Sequence, residues 1–227
     1  MHNLSTYQIQ VRLQSEAIFA SGEKERNLVH SKALTDPYGF VYFHAKSFKG
    51  QLKKQAFWLW KQYKKVNPQR ADSFLHSLIT LFGINKQEIK AYQIENKVGR
   101  FKENSGIALT NLELAESIRN YFINLMVEEV EEGYIHFSAS DLVEAQTNIR
   151  TQIELENGTA KDKRLITIQT VKEGLIFYST VTFLEPPTEN LLSDLKQIVN
   201  SLSRIGAGIH RGRGEVEACL LCNGKEM

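Results

Sequence analysis

Between Gly206 and Gly214 four glycines are spaced as GxGxxxGxG, with Arg211 and Arg213 among them, and the segment joins a helical pattern to a strand pattern. Upstream, Thr188 opens a stretch that sets Leu191, Leu192, Leu195, Ile198, Val199 and Leu202 on one helical face; downstream, Glu215 to Leu221 reads as a terminal strand. A glycine-rich connection that enters a strand is neither a Walker loop nor a dinucleotide fingerprint, both of which enter a helix. Glycines so closely spaced let backbone N–H groups approach phosphates, and arginine adds bidentate contacts. The segment therefore reads as a phosphate-binding loop, against the plainer alternative of a connection whose glycines merely end the helix.

The rest of the chain supplies the elements around this loop. Thr6 to Gln14 alternates, with Tyr7, Ile9, Val11 and Leu13 on one face, as a half-buried strand does. Asp36-Pro37-Tyr38-Gly39 is a turn signal, and Phe40 to Phe43 reads as short and extended. Ser47 is placed to cap a helix to about Val66, anchored by Phe48, Leu52, Ala56, Trp60 and Tyr63. Asp72 to Phe82 and Asn111 to Glu132 read as further helices stopped by Gly83 and Gly133, which makes roughly 72–132 a helical insertion. Tyr134 to Phe137, Arg164 to Val171 and Leu175 to Leu184 read as strands, the last ended by Pro186-Pro187. Strand, helix, insertion, strands, helix, strand is the split βαβ order of an α+β ferredoxin-like domain, also used by RNA recognition motifs, and residues 1–227 are expected to form one such domain. Fold alone assigns no function.

Charge points to a polyanion. The formal net charge is only +2, yet 41–70 holds eight Lys or Arg and no acid, whereas Glu113 to Glu132 holds six glutamates and one arginine. A solvated helix face is the plain alternative for either run. Cys219 and Cys222 form a lone CxxC, without the second ligand pair that a structural zinc site needs. No apolar run approaches the length of a membrane span, and the N-terminus shows no targeting pattern, so a cytoplasmic protein is expected.

A second constellation is Phe43-His44-Ala45-Lys46-Ser47-Phe48-Lys49-Gly50-Gln51-Leu52-Lys53, an extended-to-helix junction where first-turn amides and lysines can meet an anion. Its stretch Phe43 to Leu52 resembles the "(I)PGSSLKGxLR" motif of the RAMP (repeat-associated mysterious protein) superfamily, in its type III CRISPR effector backbone branch. Gly206 to Val216 resembles that family's "GGxxxRGxGxV" loop, and Tyr134 to Ser138 with Asp141 its "LxFSDL" strand. Thr147 to Ile153, Gly158 to Lys161, Leu165 and Lys172 to Gly174 resemble its "RTRIxLD…GTAKxGxLF…VPAG" hairpin. The match is collinear over nearly the whole chain and weakest in the helical insertion.

The resemblance implies a modified RNA recognition motif with a protruding thumb hairpin, here about 146–164, carrying Asn148, Arg150, Lys161 and Lys163. It implies guide CRISPR RNA contacts from Ser47, Lys49, Lys53, Gly206, Gly208, Arg211, Gly212, Arg213 and Gly214. Target RNA, other RAMP subunits and the large subunit of the complex are the implied partners, with no membrane. Backbone tracking with little base reading suits a complex in which guide pairing supplies sequence information. Two positions depart from the family: His44-Ala45-Lys46 replaces its "PG", and His30 stands where members that cut target RNA carry a catalytic aspartate. His30 is then either an acid or base, with Mg or Mn as the cofactor if target RNA is cut, or a loop residue on a subunit that does not cut; Asp36 is a third candidate. A metal-independent endoribonuclease that processes precursor guide RNA is the alternative function, with His30 or His44 as base and Lys46 or Lys49 stabilising the phosphorane.

Overall fold

A computed structural model describes residues 5–20, 31–94, 104–132, 137–156 and 159–227. Its centre is β1 (Tyr7–Leu13), flanked antiparallel by β6 (Ile176–Phe183) and β7 (Val216–Cys222). Beyond β6 lies the edge strand β2 (Ile107–Leu109), and beyond β7 the two-residue β8 (Lys225–Glu226), giving the order β2-β6-β1-β7-β8. A second short strand, β3 (Glu113–Leu114), also pairs with β6. Helices α1 (Ala45–Val66) and α6 (Glu189–Asn200) make the two crossovers, β1-α1-β2 and β6-α6-β7, which is the ferredoxin-like arrangement.

The alternation in β1 sends Ile9, Val11 and Leu13 fully into the core, with Phe177 of β6 and Leu220 of β7 beside them. Phe48, Leu52, Ala56 and Trp60 of α1 and Leu195, Ile198 and Val199 of α6 cover that layer. Each large side chain so buried contributes about 1.5–3 kcal/mol, so together they fix both helices on the sheet.

Local signals explain where the helices begin. α1 starts before Ser47, because His44 adopts extended backbone and its Nδ1 accepts from Lys46 N at 3.2 Å. α2 (Pro68–Phe82) starts at Pro68, where a missing N–H costs nothing, with Asn67 Oδ1 accepting from Arg70 N. α3 (Lys86–Tyr92) opens on an Asn85–Glu88 capping box. Between 72 and 132 the chain is not purely helical: it contributes β2 and β3 to the sheet, and α4 (Glu116–Glu132) begins only after β3. Leu112, fully buried, forms a bridge with Phe43 and holds this stretch extended. Of the expected strand at Tyr134 to Phe137, the first three residues lie outside the described residues, and Phe137 precedes α5 (Ala139–Gln146) without strand structure.

The expected thumb is a separate two-stranded antiparallel sheet, β4 (Thr147–Glu156) with β5 (Thr159–Val171). Its base is rooted in the domain: Thr147, Ile168, Thr170 and Val171 are buried, and Val171 exchanges backbone hydrogen bonds with Ala17. Gln146 locks the hairpin to the turn at Asp36, its Oε1 accepting from Val41 N at 2.9 Å and its Nε2 donating to the carbonyls of Gly39 and Leu142. Among the described residues no helix is long and apolar enough to cross a membrane.

Candidate nucleic-acid interface

The glycine-rich loop is pinned at its ends and open in its middle. Ala207 N donates to the Ile18 carbonyl at 3.0 Å, Ile205 N to the Gly214 carbonyl at 2.8 Å and Gly214 N to the Glu16 carbonyl at 2.8 Å. Gly206 (φ +85°) and Gly214 (φ +70°) are demanded by these contacts: a Cβ would stand 2.6 Å from the Ile18 oxygen in the first case and 1.9 Å from the Ile205 oxygen in the second. Ala207, Gly208, His210, Arg211 and Gly212 face solvent around a single 3-10 turn at Ile209–Arg211. The Arg204 guanidinium donates to the Ile209 carbonyl and stiffens that turn. Arg213 is half-buried, and its Nη1 has no hydrogen-bond partner among the described residues. A donor held that way costs about 1–3 kcal/mol until an acceptor arrives.

The second motif meets the first through one side chain. Gln51, in the second turn of α1, donates from Nε2 to the Gly206 carbonyl at 3.2 Å and accepts at Oε1 from Gly206 N at 3.3 Å. Ser47 is exposed on the same helix, as is Lys46. The first two N–H groups of α1 are already used: Ala45 N donates to Asn111 Oδ1 at 2.9 Å and Lys46 N to His44 Nδ1.

Two of the predicted lysines have protein partners. Lys49 Nζ donates to the Ile107 carbonyl of β2 at 2.6 Å, and burial, aided by the Lys53 charge, lowers its pKa from the usual lysine value. Lys53 pairs with Glu88 Oε2 at 2.7 Å. Both therefore tie α1 to its neighbours, a role that the charge pattern alone does not reveal.

At the hairpin base the unforeseen residue is Glu16. Its carboxylate accepts from Asn148 Nδ2 at 2.8 Å, from Arg150 Nη2 at 2.6 Å and Nε at 3.0 Å, and from Thr170 Oγ1 at 3.2 Å. The Arg150 hydrogen bond is the main reason its pKa falls to about 2. Asn148 and Arg150 are thus clamps at the hairpin root. Because the Glu16 carbonyl holds Gly214, one residue joins the hairpin to the glycine-rich loop. Lys161 and Lys163 have side chains outside the described residues, and so does the hairpin tip at 157–158.

Asp36 is a turn residue. Its Oδ1 accepts from Tyr38 N at 2.9 Å and Phe40 N at 3.0 Å, and its Oδ2 from Arg119 Nη2 at 2.8 Å. Arg119 also pairs with Glu113 and lies over the Phe40 ring. Both oxygens of Asp36 are thus engaged in holding this turn and its arginine. His30 lies outside the described residues; the carbonyl of Ser31, next in sequence, accepts from Gln169 N at 2.9 Å. Among the described residues no group of three or more His, Cys, Asp or Glu side chains gathers that could hold a metal ion. Cys219 and Cys222 are free thiols three residues apart on β7, hence on opposite faces of that strand.

No protein-family model and no curated protein sequence matches the chain. Solved structures do. A chain of the type III-B Cmr-beta complex bound to cognate target RNA superposes with a TM-score of 0.60 at 10% identity, covering 96% of this chain and 97% of that one. A chain of type III-B Cmr-beta in the apo state gives 0.60 at 12% identity, over 96% and 97% of the two chains. A chain of a type IV-B CRISPR complex gives 0.55 at 12% identity, over 95% and 90%. At these identities the shared property is the fold, over nearly the full length of each chain.

Proposed function

We propose that this chain is an RNA-binding backbone subunit of a type III CRISPR effector complex, holding guide RNA along the surface made by the start of α1 and the glycine-rich loop. The observation that carries the reading is the double hydrogen bond between Gln51 and Gly206, which sets the two phosphate-compatible segments side by side. On that surface the exposed turn at Gly208 to Gly212, the Arg211 and Arg213 guanidiniums and the Ser47 hydroxyl supply donors suited to a sugar-phosphate backbone. Base-edge readers are not required, since pairing with the guide selects the target. The fold shared with chains of RNA-containing and related CRISPR complexes supports this reading, as does the hairpin rooted beside the loop.

In this role the chain organises guide and target RNA and contacts neighbouring RAMP subunits and the large subunit. The hairpin, clamped by Glu16, is the thumb that kinks the guide–target duplex. The subunit is read as a scaffold in preference to a nuclease, because Asp36 spends both carboxylate oxygens on its own turn and on Arg119. The precursor-processing alternative loses support at His44, whose Nδ1 caps α1 and is therefore the acceptor nitrogen of a structural bond.

The test is to purify the tagged chain from cells that carry a CRISPR array and sequence the bound RNA. Short repeat-derived guides, together with co-purified complex subunits, are expected. Unprocessed repeats with cleavage at repeat ends would move the assignment to precursor processing, and a random sample of cellular RNA would reduce it to a general RNA-binding module.

A further inference from the structure

Trp58 and Trp60 are two residues apart on α1 and have opposite fates: Trp60 is 4% exposed, in the core, whereas Trp58 is 53% exposed. Trp58 stands on a line formed by Ser47, Gln51, Lys54, Trp58, Lys61 and Lys65, positions that recur every three or four residues. At about 3.6 residues per turn such spacing keeps all six on one side of the helix. Ser47, Lys54, Lys61 and Lys65 are exposed, while Phe48, Leu52 and Ala56 carry the other side into the core. No acidic residue lies between 41 and 70 to neutralise the ridge. Lys61 leans its ammonium over the Tyr92 ring, 4.9 Å from its centre, at the border of the ridge.

The ridge begins at the glycine-rich loop, since Gln51 is the residue that holds Gly206. From Gln51 to Trp58 the helix rises about 10 Å, and from Ser47 to Lys65 about 27 Å. A solvent-facing indole in a row of ammonium groups matches a single-stranded polynucleotide, whose phosphates follow the lysines while an unpaired base lies on the ring. A duplex keeps its base faces stacked and offers the indole nothing. We infer that the α1 ridge is a second track for single-stranded RNA, leading away from the glycine-rich loop, with one base stacked on Trp58. The inference rests on the proposed function for where the RNA enters; it adds a stretch of contact and a stacking residue that backbone cradling does not need.

The full chain is titrated with a fluorescein-labelled single-stranded RNA of mixed sequence over a range of salt, in parallel with the same sequence as a duplex. Trp58→Ala is expected to weaken single-strand binding roughly 5- to 100-fold, with Trp58→Phe retaining most of the affinity. Lys54→Gln with Lys61→Gln and Lys65→Gln is expected to lower the slope of log affinity against log salt by about 2. Duplex binding should respond much less to Trp58→Ala. Circular dichroism checks folding, and the lysine variant keeps the test independent of any effect of removing the indole. If the natural chain binds RNA, loses affinity in Arg211→Ala with Arg213→Ala, and is unmoved by the Trp58 and lysine changes, the ridge inference is overturned while the loop assignment stands. If the natural chain binds no RNA, both fall. If Trp58→Ala spares RNA binding and instead abolishes capture of an acidic neighbouring subunit, the ridge is a protein-docking face and the inference is likewise overturned.

Discussion

Gln51 and Gly206 exchange a pair of hydrogen bonds, at 3.2 Å and 3.3 Å, that uses the side-chain amide as though it were a neighbouring strand. The pair fixes where the glycine-rich loop leaves the sheet relative to the exposed face of α1. Gln51→Ala removes both bonds to Gly206. It is expected to cost about 1–3 kcal/mol of stability, the net worth of two ordinary bonds, and to weaken RNA binding more than that loss alone. Denaturant unfolding and an RNA titration on the same variant separate the two effects. Unchanged RNA affinity in a variant that is measurably less stable would mean that the loop needs no positioning.

Arg211→Ala together with Arg213→Ala tests the loop directly. Phosphate contacts release counterions without reading bases, so affinity should fall by a similar factor for RNAs of unrelated sequence. The salt slope should drop by about 0.7 for each phosphate that is no longer neutralised. Arg213→Ala also removes the orphaned buried Nη1, so that single change is expected to leave the free protein as stable as before or slightly more so. A weakening confined to one RNA sequence would argue against backbone cradling.

Glu16 carries a pH signature. Its folded pKa is about 2 against an ordinary 4.5, because Arg150, Asn148 and Thr170 all favour the charged form. A carboxyl shifted down contributes stability that is fully present above its unfolded pKa and is lost as pH falls from about 4.5 toward 2. The natural protein should therefore exceed Glu16→Gln in stability at neutral pH, and the gap should narrow as the pH is lowered through that window. Urea midpoints at neutral pH and at successively lower pH values measure it. A gap that stays constant with pH would remove the carboxylate charge from the hairpin clamp.

The hairpin tip should be dispensable for folding. The buried residues at its root, Thr147, Ile168, Thr170 and Val171, stay in place when 154–163 is replaced by a short turn. Such a deletion is expected to leave a cooperative unfolding transition with a midpoint close to that of the natural chain, while assembly along a guide is impaired. A chain that no longer folds would make the whole hairpin part of the core and end its assignment as a thumb.

The fold is legible in the sequence where a period runs long enough to be read. The seven alternating residues of β1, the apolar stripe of α6 and the strand after the last glycine all stand where their patterns put them. β2 is not legible, because three residues paired at a sheet edge leave no period. Lys49 and Lys53 read as surface charge because a backbone carbonyl on β2 and a glutamate on α3 are distant in sequence from α1. Glu16 gives no signal at all: it lies between Ser15 and Ala17 just after β1, and the side chains that donate to it are 132 to 154 positions away. Its role follows from tertiary pairing alone.

His30 separates a scaffold from an enzyme. By the family resemblance, target cutting depends on a carboxylate at the position that His30 occupies, and a neutral imidazole cannot supply the negative charge that such a role exploits. The nearby acid Asp36 is committed to two backbone N–H groups and Arg119. The natural protein, assembled with guide and given divalent metal, is therefore expected to cut paired target RNA slowly or not at all, and His30→Asp to gain measurable cutting. A time course of labelled target RNA with the natural protein, His30→Ala and His30→Asp decides it. Fast cutting by the natural protein that His30→Ala abolishes would make His30 a working acid or base. Asp36→Asn serves as the control on the turn, because it keeps an Oδ1 acceptor for Tyr38 and Phe40 while removing the charge facing Arg119. Fast cutting that survives His30→Ala and dies in Asp36→Asn, with the fold intact, would move the chemistry to Asp36.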